Sequence, residues 1–123
     1  VILRYARSLP SDHCEIFVAL VGGAMARVAP DATAYAHREP RFIMNVHGRW
    51  DEAASDAACK EWARAFYRDT IPYAAGGAYV NFMSDDETDR VPSAYGPSWE
   101  RLVAAKRRYD PDNRFRLNQN IRP

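Results

Sequence analysis

The sequence predicts an α+β fold, a mainly antiparallel sheet with helices packed on one face. Three observations lead there. Two stretches, Phe42–Trp50 and Ala78–Met83, alternate with the period of two that marks a half-buried strand. Two others, from Asp51 to just before Pro72 and over 99–109, carry apolar residues at helical spacing. The order strand, strand, helix, strand, helix is that of an antiparallel sheet with segregated helices. A chain of 123 residues that is 47% hydrophobic can bury the core of one such domain.

Val1–Leu9 reads as the end of a helix, closed by Pro10. Cys14–Val21 (CEIFVALV) is rich in β-formers and reads as a strand buried on both faces, ended by Gly22-Gly23. Those two glycines suit a structural turn and lack the spacing of a phosphate loop. Ala24–Val28 reads as a short second strand, followed by a loop.

In Phe42–Trp50 one face carries Phe42, Met44, Val46, Gly48 and Trp50, and is expected in the core. The other carries Ile43, Asn45, His47 and Arg49, polar without being fully charged. Asp51 is placed to cap the next helix, whose stripe is Ala54, Ala58, Trp62, Ala65 and Phe66. After Gly76-Gly77 a third strand is expected, with Ala78, Val80 and Phe82 on one side and Tyr79, Asn81 and Met83 on the other.

Ser98 is placed to cap the last helix, buried along Trp99, Leu102, Val103 and Tyr109, with Lys106, Arg107 and Arg108 at its negative end. Asp110-Pro111-Asp112-Asn113 stops it in a type I turn. Phe115 and Leu117 then serve as apolar anchors, and Asn118, Gln119 and Asn120 follow in a row. Each amide offers a carbonyl acceptor and N–H donors. Three together can grip a polar ligand or fasten the chain end to its own domain.

Composition excludes several classes. A net charge of +1 is no general nucleic-acid footprint. No apolar run is long enough to cross a membrane, and the start has no signal-peptide pattern, so a cytoplasmic location is expected. Cys14 and Cys59 are too few for a disulfide scaffold and lack zinc spacing, and are expected as buried thiols. No metal site is expected: the acidic run Asp85-Asp86-Glu87 with Asp89 lacks the spacing of a calcium loop. The chain opens with Val1 rather than Met, and its strands are few for a free-standing sheet. Both are expected of a piece of a longer protein.

No serine lies in a nucleophile elbow. His13, His37 and His47, each alone, read as hydrogen-bonded structural residues. The better candidates are two pairs, Asn45/His47 and Tyr79/Asn81. On strands of one sheet they would point into one space. A phenol, with a pKa of about 10, acts as a base only where neighbours stabilise its anion, and amides beside it orient a substrate or heterocycle. A packed aromatic with a satisfied Asn has the same spacing.

The series Tyr95-Gly96, Trp99-Glu100-Arg101-Leu102, Lys106, Tyr109-Asp110-Pro111-Asp112-Asn113, Phe115-Arg116 and Asn118-Gln119-Asn120-Ile121 resembles the carboxy-terminal signature of the berberine-bridge-enzyme-like FAD-linked oxidases. Thr33-Ala34-Tyr35-Ala36-His37-Arg38 resembles that family's Thr-Ala-aromatic-x-His-Arg stretch, and Gly77-Ala78-Tyr79-Val80-Asn81-Phe82 its Tyr-x-Asn-Tyr/Phe strand.

The resemblance implies an FAD-dependent oxidase acting on an alcohol, amine or related C–H substrate. It implies that residues 1–91 are the end of its substrate domain, and 92–123 a helix and tail that dock on an amino-terminal FAD domain of the same polypeptide. It aligns Asn45 with a substrate-facing position where relatives carry Glu or Gln, so a carboxylate base is not available there. Tyr79 is implied as catalytic base, His47 with Asn45 as substrate-binding, and Asn81, Asn118 and Gln119 as flavin contacts. Phe82 replaces a second tyrosine. Neither cysteine matches the residue that attaches the flavin, no histidine matches its partner, and the phosphate-binding loop belongs to the amino-terminal domain, so the piece alone is expected to be inactive and to hold FAD weakly at most. Its expected partners are the FAD domain and a small-molecule substrate, with no nucleic acid or membrane, and with homo-oligomers through faces left open. The alternative is a free-standing α+β module for small-ligand binding or dimerisation, without catalysis.

Overall fold

The computed structural model describes residues Val1–Pro123. It is an α+β chain with one two-stranded antiparallel sheet and four α-helices. Its residues fall into two compact units, Val1–Leu20 with Phe42–Gly76, and Val21–Arg41 with Gly77–Pro123.

In the first unit, helix α1 (Ile2–Ala6) precedes strand β1 (Glu15–Leu20), which pairs with β2 (Phe42–His47). The register sets Glu15 opposite His47, Phe17 opposite Asn45 and Leu20 opposite Phe42. Helix α2 (Asp56–Thr70) follows a 3-10 turn at Ala53–Ser55. The core joins Cys14, Cys59 and Trp62, with Tyr5, Ile16, Val46, Trp50 and Ala63 packed around them. Phe66 is fully buried, edge-on to Tyr5 at 5.3 Å and stacked on Trp62 at 6.4 Å.

Several expectations change here. β1 is not buried on both faces: Phe17, Val18 and Leu20 are exposed. A ribbon of two strands covers little of either side, so its apolar sequence is only partly enclosed. Phe42 and Met44 are likewise exposed, and the expected core face of β2 is buried only towards Val46 and Trp50. The buried stripe of α2 is Cys59, Trp62, Phe66 and Thr70, not the alanine row. Asp51 does not cap α2. Its carboxylate lies 3.1 Å from His13, while Asp56 opens the helix and accepts from Trp50 at 2.6 Å and Lys60 at 2.9 Å.

The second unit contains helix α3 (Val91–Tyr95) and helix α4 (Trp99–Tyr109). Val91, Ala94, Ser98 and Val103 are buried. Ser98 precedes α4 as expected, but its hydroxyl donates to the Thr33 carbonyl at 3.2 Å rather than capping. The turn after α4 closes from Asn113 N–H to the Asp110 carbonyl at 3.0 Å. Tyr109, expected to be buried, is exposed.

The second and third expected strands are absent. Ala24–Val28 contains a 3-10 turn at Met25–Arg27, and Ala78–Met83 one at Val80–Phe82. Phe82 N–H bonds the Tyr79 carbonyl at 2.8 Å within its own segment. Gly76 and Gly77, at φ +85° and +76°, turn the chain into it. No helix is long and apolar enough to cross a membrane.

Candidate functional site

The candidate residues form two groups, one in each unit. In the first, the β1–β2 register brings Glu15 to His47. His47 Nδ1 donates to Glu15 Oε1 at 2.6 Å, and Asn45 Nδ2 lies 2.8 Å from His47 Nε2. The Phe17 ring stacks on the imidazole at 6.4 Å and 14°. The hydrogen bond from His47 holds the Glu15 carboxyl below its ordinary range, with the Arg49 guanidinium, 3.1 Å from Oε1, adding to it. Asn45 and His47 thus share one hydrogen-bonded line, as the alternation of β2 predicts.

In the second unit, Tyr79 and Asn81 meet by another route than the expected strand. The 3-10 turn folds Asn81 back so that its Nδ2 donates to Tyr79 Oη at 2.9 Å. Phe82 stands edge-on to the Tyr79 ring at 4.9 Å, and Tyr35 edge-on at 5.8 Å. Tyr35 carries the Arg38 guanidinium over its face at 4.7 Å, and burial pushes its phenol up. Arg38 is tied to Thr33 Oγ1 at 2.6 Å and to the Met25 carbonyl at 3.2 Å. His37 donates from Nε2 to the Ala94 carbonyl at 2.9 Å, which leaves it structural, as read from sequence. The sheet does not unite Asn45/His47 with Tyr79/Asn81, because the segment of Tyr79 is not part of it.

The tail amides divide. Gln119 Nε2 donates to the Met83 carbonyl at 3.1 Å, while its Oε1 is buried without a partner, as is Asn120 Oδ1. Asn118 is exposed in the left-handed region, at φ +57°, which Asn tolerates. Buried acceptors left unpaired are costly, and they suit a group that brings N–H donors. Phe115 and Leu117 are 82% and 85% exposed, so they anchor nothing within this chain.

Sequence reasoning missed Glu15 and Tyr35. Glu15 becomes legible only through the strand register. Tyr35 was visible as the aromatic of Thr33–Arg38, without a sign of what it faces.

The family model described as "Berberine and berberine like" matches residues 78–122, a span that holds Tyr79, Asn81, Asn118 and Gln119. The chain is 29% identical over 122 residues to the Bacillus subtilis protein named uncharacterized FAD-linked oxidoreductase YgaK, covering 99% of the chain and 27% of that protein. It is 30% identical over 126 residues to YvdP of the same organism, named likewise, covering the whole chain and 27% of that protein. Similarity to the tetrahydroberberine oxidase of Berberis wilsoniae is 28% over 129 residues, or 91% of the chain and 24% of that protein. The chain therefore spans about a quarter of the length of these curated relatives.

Proposed function

The chain belongs to the berberine-bridge-enzyme-like family of FAD-linked oxidoreductases, and from that premise we propose that it is the carboxy-terminal part of an FAD-dependent oxidase acting on an alcohol, amine or related C–H substrate. The observation that carries this reading is the hydrogen bond from Asn81 to Tyr79 Oη inside the family-matched span. The flavin, when bound, supplies the acceptor for the substrate's hydride. The residues of this chain orient the substrate and handle its proton.

Tyr79 Oη is the group that handles the substrate proton. The Asn81 amide directed at that oxygen compensates charge on it. Tyr35 and Phe82, both edge-on, hold the ring. Asn45 and His47 bind the polar end of the substrate. Asn81, Asn118 and Gln119 would hold the flavin ring, and the buried unpaired oxygen of Gln119 supports this by offering an acceptor. Residues 1–91 serve as the end of a substrate domain and 92–123 as the part that meets the FAD domain.

The test is Tyr79→Phe in the complete flavoprotein. Flavin reduction in the stopped flow is expected to slow by about 100-fold or more, the contribution of a general base, with substrate affinity nearly unchanged. An unchanged reduction rate removes Tyr79 as the base.

A further inference from the structure

Glu15, which the reaction above does not use, controls more than its own ion pair. Its carboxyl is held in the ionised form, so at 2.6 Å it must accept, and His47 Nδ1 must donate. A neutral imidazole carries one N–H, which leaves Nε2 as an acceptor. That acceptor faces Asn45 Nδ2 at 2.8 Å. Arg49 Nη2, 3.3 Å from Nδ1, meets another donor there, and its guanidinium pairs instead with Glu15. The line runs in one direction: carboxylate, Nδ1–H, Nε2, amide N–H.

We propose that Glu15, acting through His47, fixes which edge of the Asn45 amide a ligand meets, leaving Oδ1 as an outward acceptor that selects a hydroxyl or amine donor. Asn45 Oδ1 receives no hydrogen bond from the chain and is not buried. A half-turn of the amide would set Oδ1 against the Nε2 lone pair, two acceptors face to face. Protonation of His47 inverts the preference. An imidazolium Nε2–H needs an acceptor, so Asn45 turns its oxygen inward and presents NH2 to the ligand. The groups that face His47 are Glu15 and Phe17 from β1, with Asn45 and Arg49 from its own segment. The inference rests on the reading that Asn45 and His47 face the substrate, and Glu15 is a positioning residue within it.

Long-range proton–nitrogen spectra of the 123-residue chain, labelled with 15N-histidine, distinguish the two tautomers, and His47→Asn identifies the signal. The Nδ1–H tautomer is expected, and Glu15→Gln is expected to lose that preference while the thermal midpoint stays in place. An Nε2–H tautomer in the unmodified chain overturns the proposal whatever the protein binds. In the complete flavoprotein, benzyl alcohol and benzyl methyl ether serve as probes that differ by one donor. The alcohol is expected to bind about tenfold more tightly, the worth of one hydrogen bond, read from the flavin absorbance, and Glu15→Gln is expected to narrow that ratio. Equal binding of the two probes overturns the selecting role of Oδ1. If neither probe binds while the tautomer is Nδ1–H, the substrate-facing reading fails, and the selecting role with it.

Discussion

Lys106 and Asp110 form an ion pair at the end of α4 in which both side chains are nearly enclosed, 11% and 9% exposed. The same carboxylate accepts the backbone N–H groups of Arg114 at 2.7 Å and Phe115 at 3.0 Å. Lys106 Nζ also donates to the Phe115 carbonyl at 2.6 Å. One pair therefore folds the Asp110–Asn113 turn back onto the last turn of the helix.

That arrangement predicts acid sensitivity of the tail. The Lys106 ammonium, and then the two backbone donors, hold the Asp110 carboxyl below its ordinary range. A carboxyl whose folded pKa is depressed stabilises the fold above its unfolded value, about 4, and loses that contribution as pH falls through the folded value. Amide exchange should show Arg114 and Phe115 losing protection below about pH 4. Asp110→Asn should lower the thermal midpoint by several degrees and flatten this acid limb. An unchanged midpoint and limb would mean that the pair does not hold the tail.

Gly77→Ala tests the turn that delivers Tyr79. A Cβ at Gly77 would stand 2.2 Å from His37 Cε1, at a φ of +76° that L side chains rarely adopt. The change should cost more than about 1 kcal/mol and displace His37 from the Ala94 carbonyl. Gly22→Ala is the control, since its Cβ would meet open space. Urea denaturation of both variants makes the comparison, and equal midpoints would contradict it.

Phe66→Ala tests the core of the first unit. The ring is 1% exposed between Tyr5 and Trp62. Truncation should cost about 3–5 kcal/mol, read by urea unfolding. A loss under about 1 kcal/mol would mean that the site collapses around the gap.

The elements that were legible in sequence are those whose signals are local. Helix α4 runs over 99–109 as expected, because the apolar spacing and Pro111 lie within or beside it. The Asn45/His47 pairing followed from alternation, which holds wherever a strand forms. Alternation around Tyr79 misled, since it reports two faces and says nothing of a partner strand. With none beside it, the backbone of 78–83 turns on itself. Phe115 and Leu117 misled in the same way, because apolarity is local while burial needs a neighbour. Helix α3 was missed although Pro92 stands in its first turn, a common helix opening. Glu15 needed the register, which composition does not contain.

On the function proposed above, this chain lends side chains to a flavin whose nucleotide is held by another part of the polypeptide. Titration of the purified 123-residue chain with FAD, followed by visible absorbance after gel filtration, tests it most directly. The purified chain is expected to be colourless and to retain no flavin. A yellow chain carrying one FAD per molecule would contradict it.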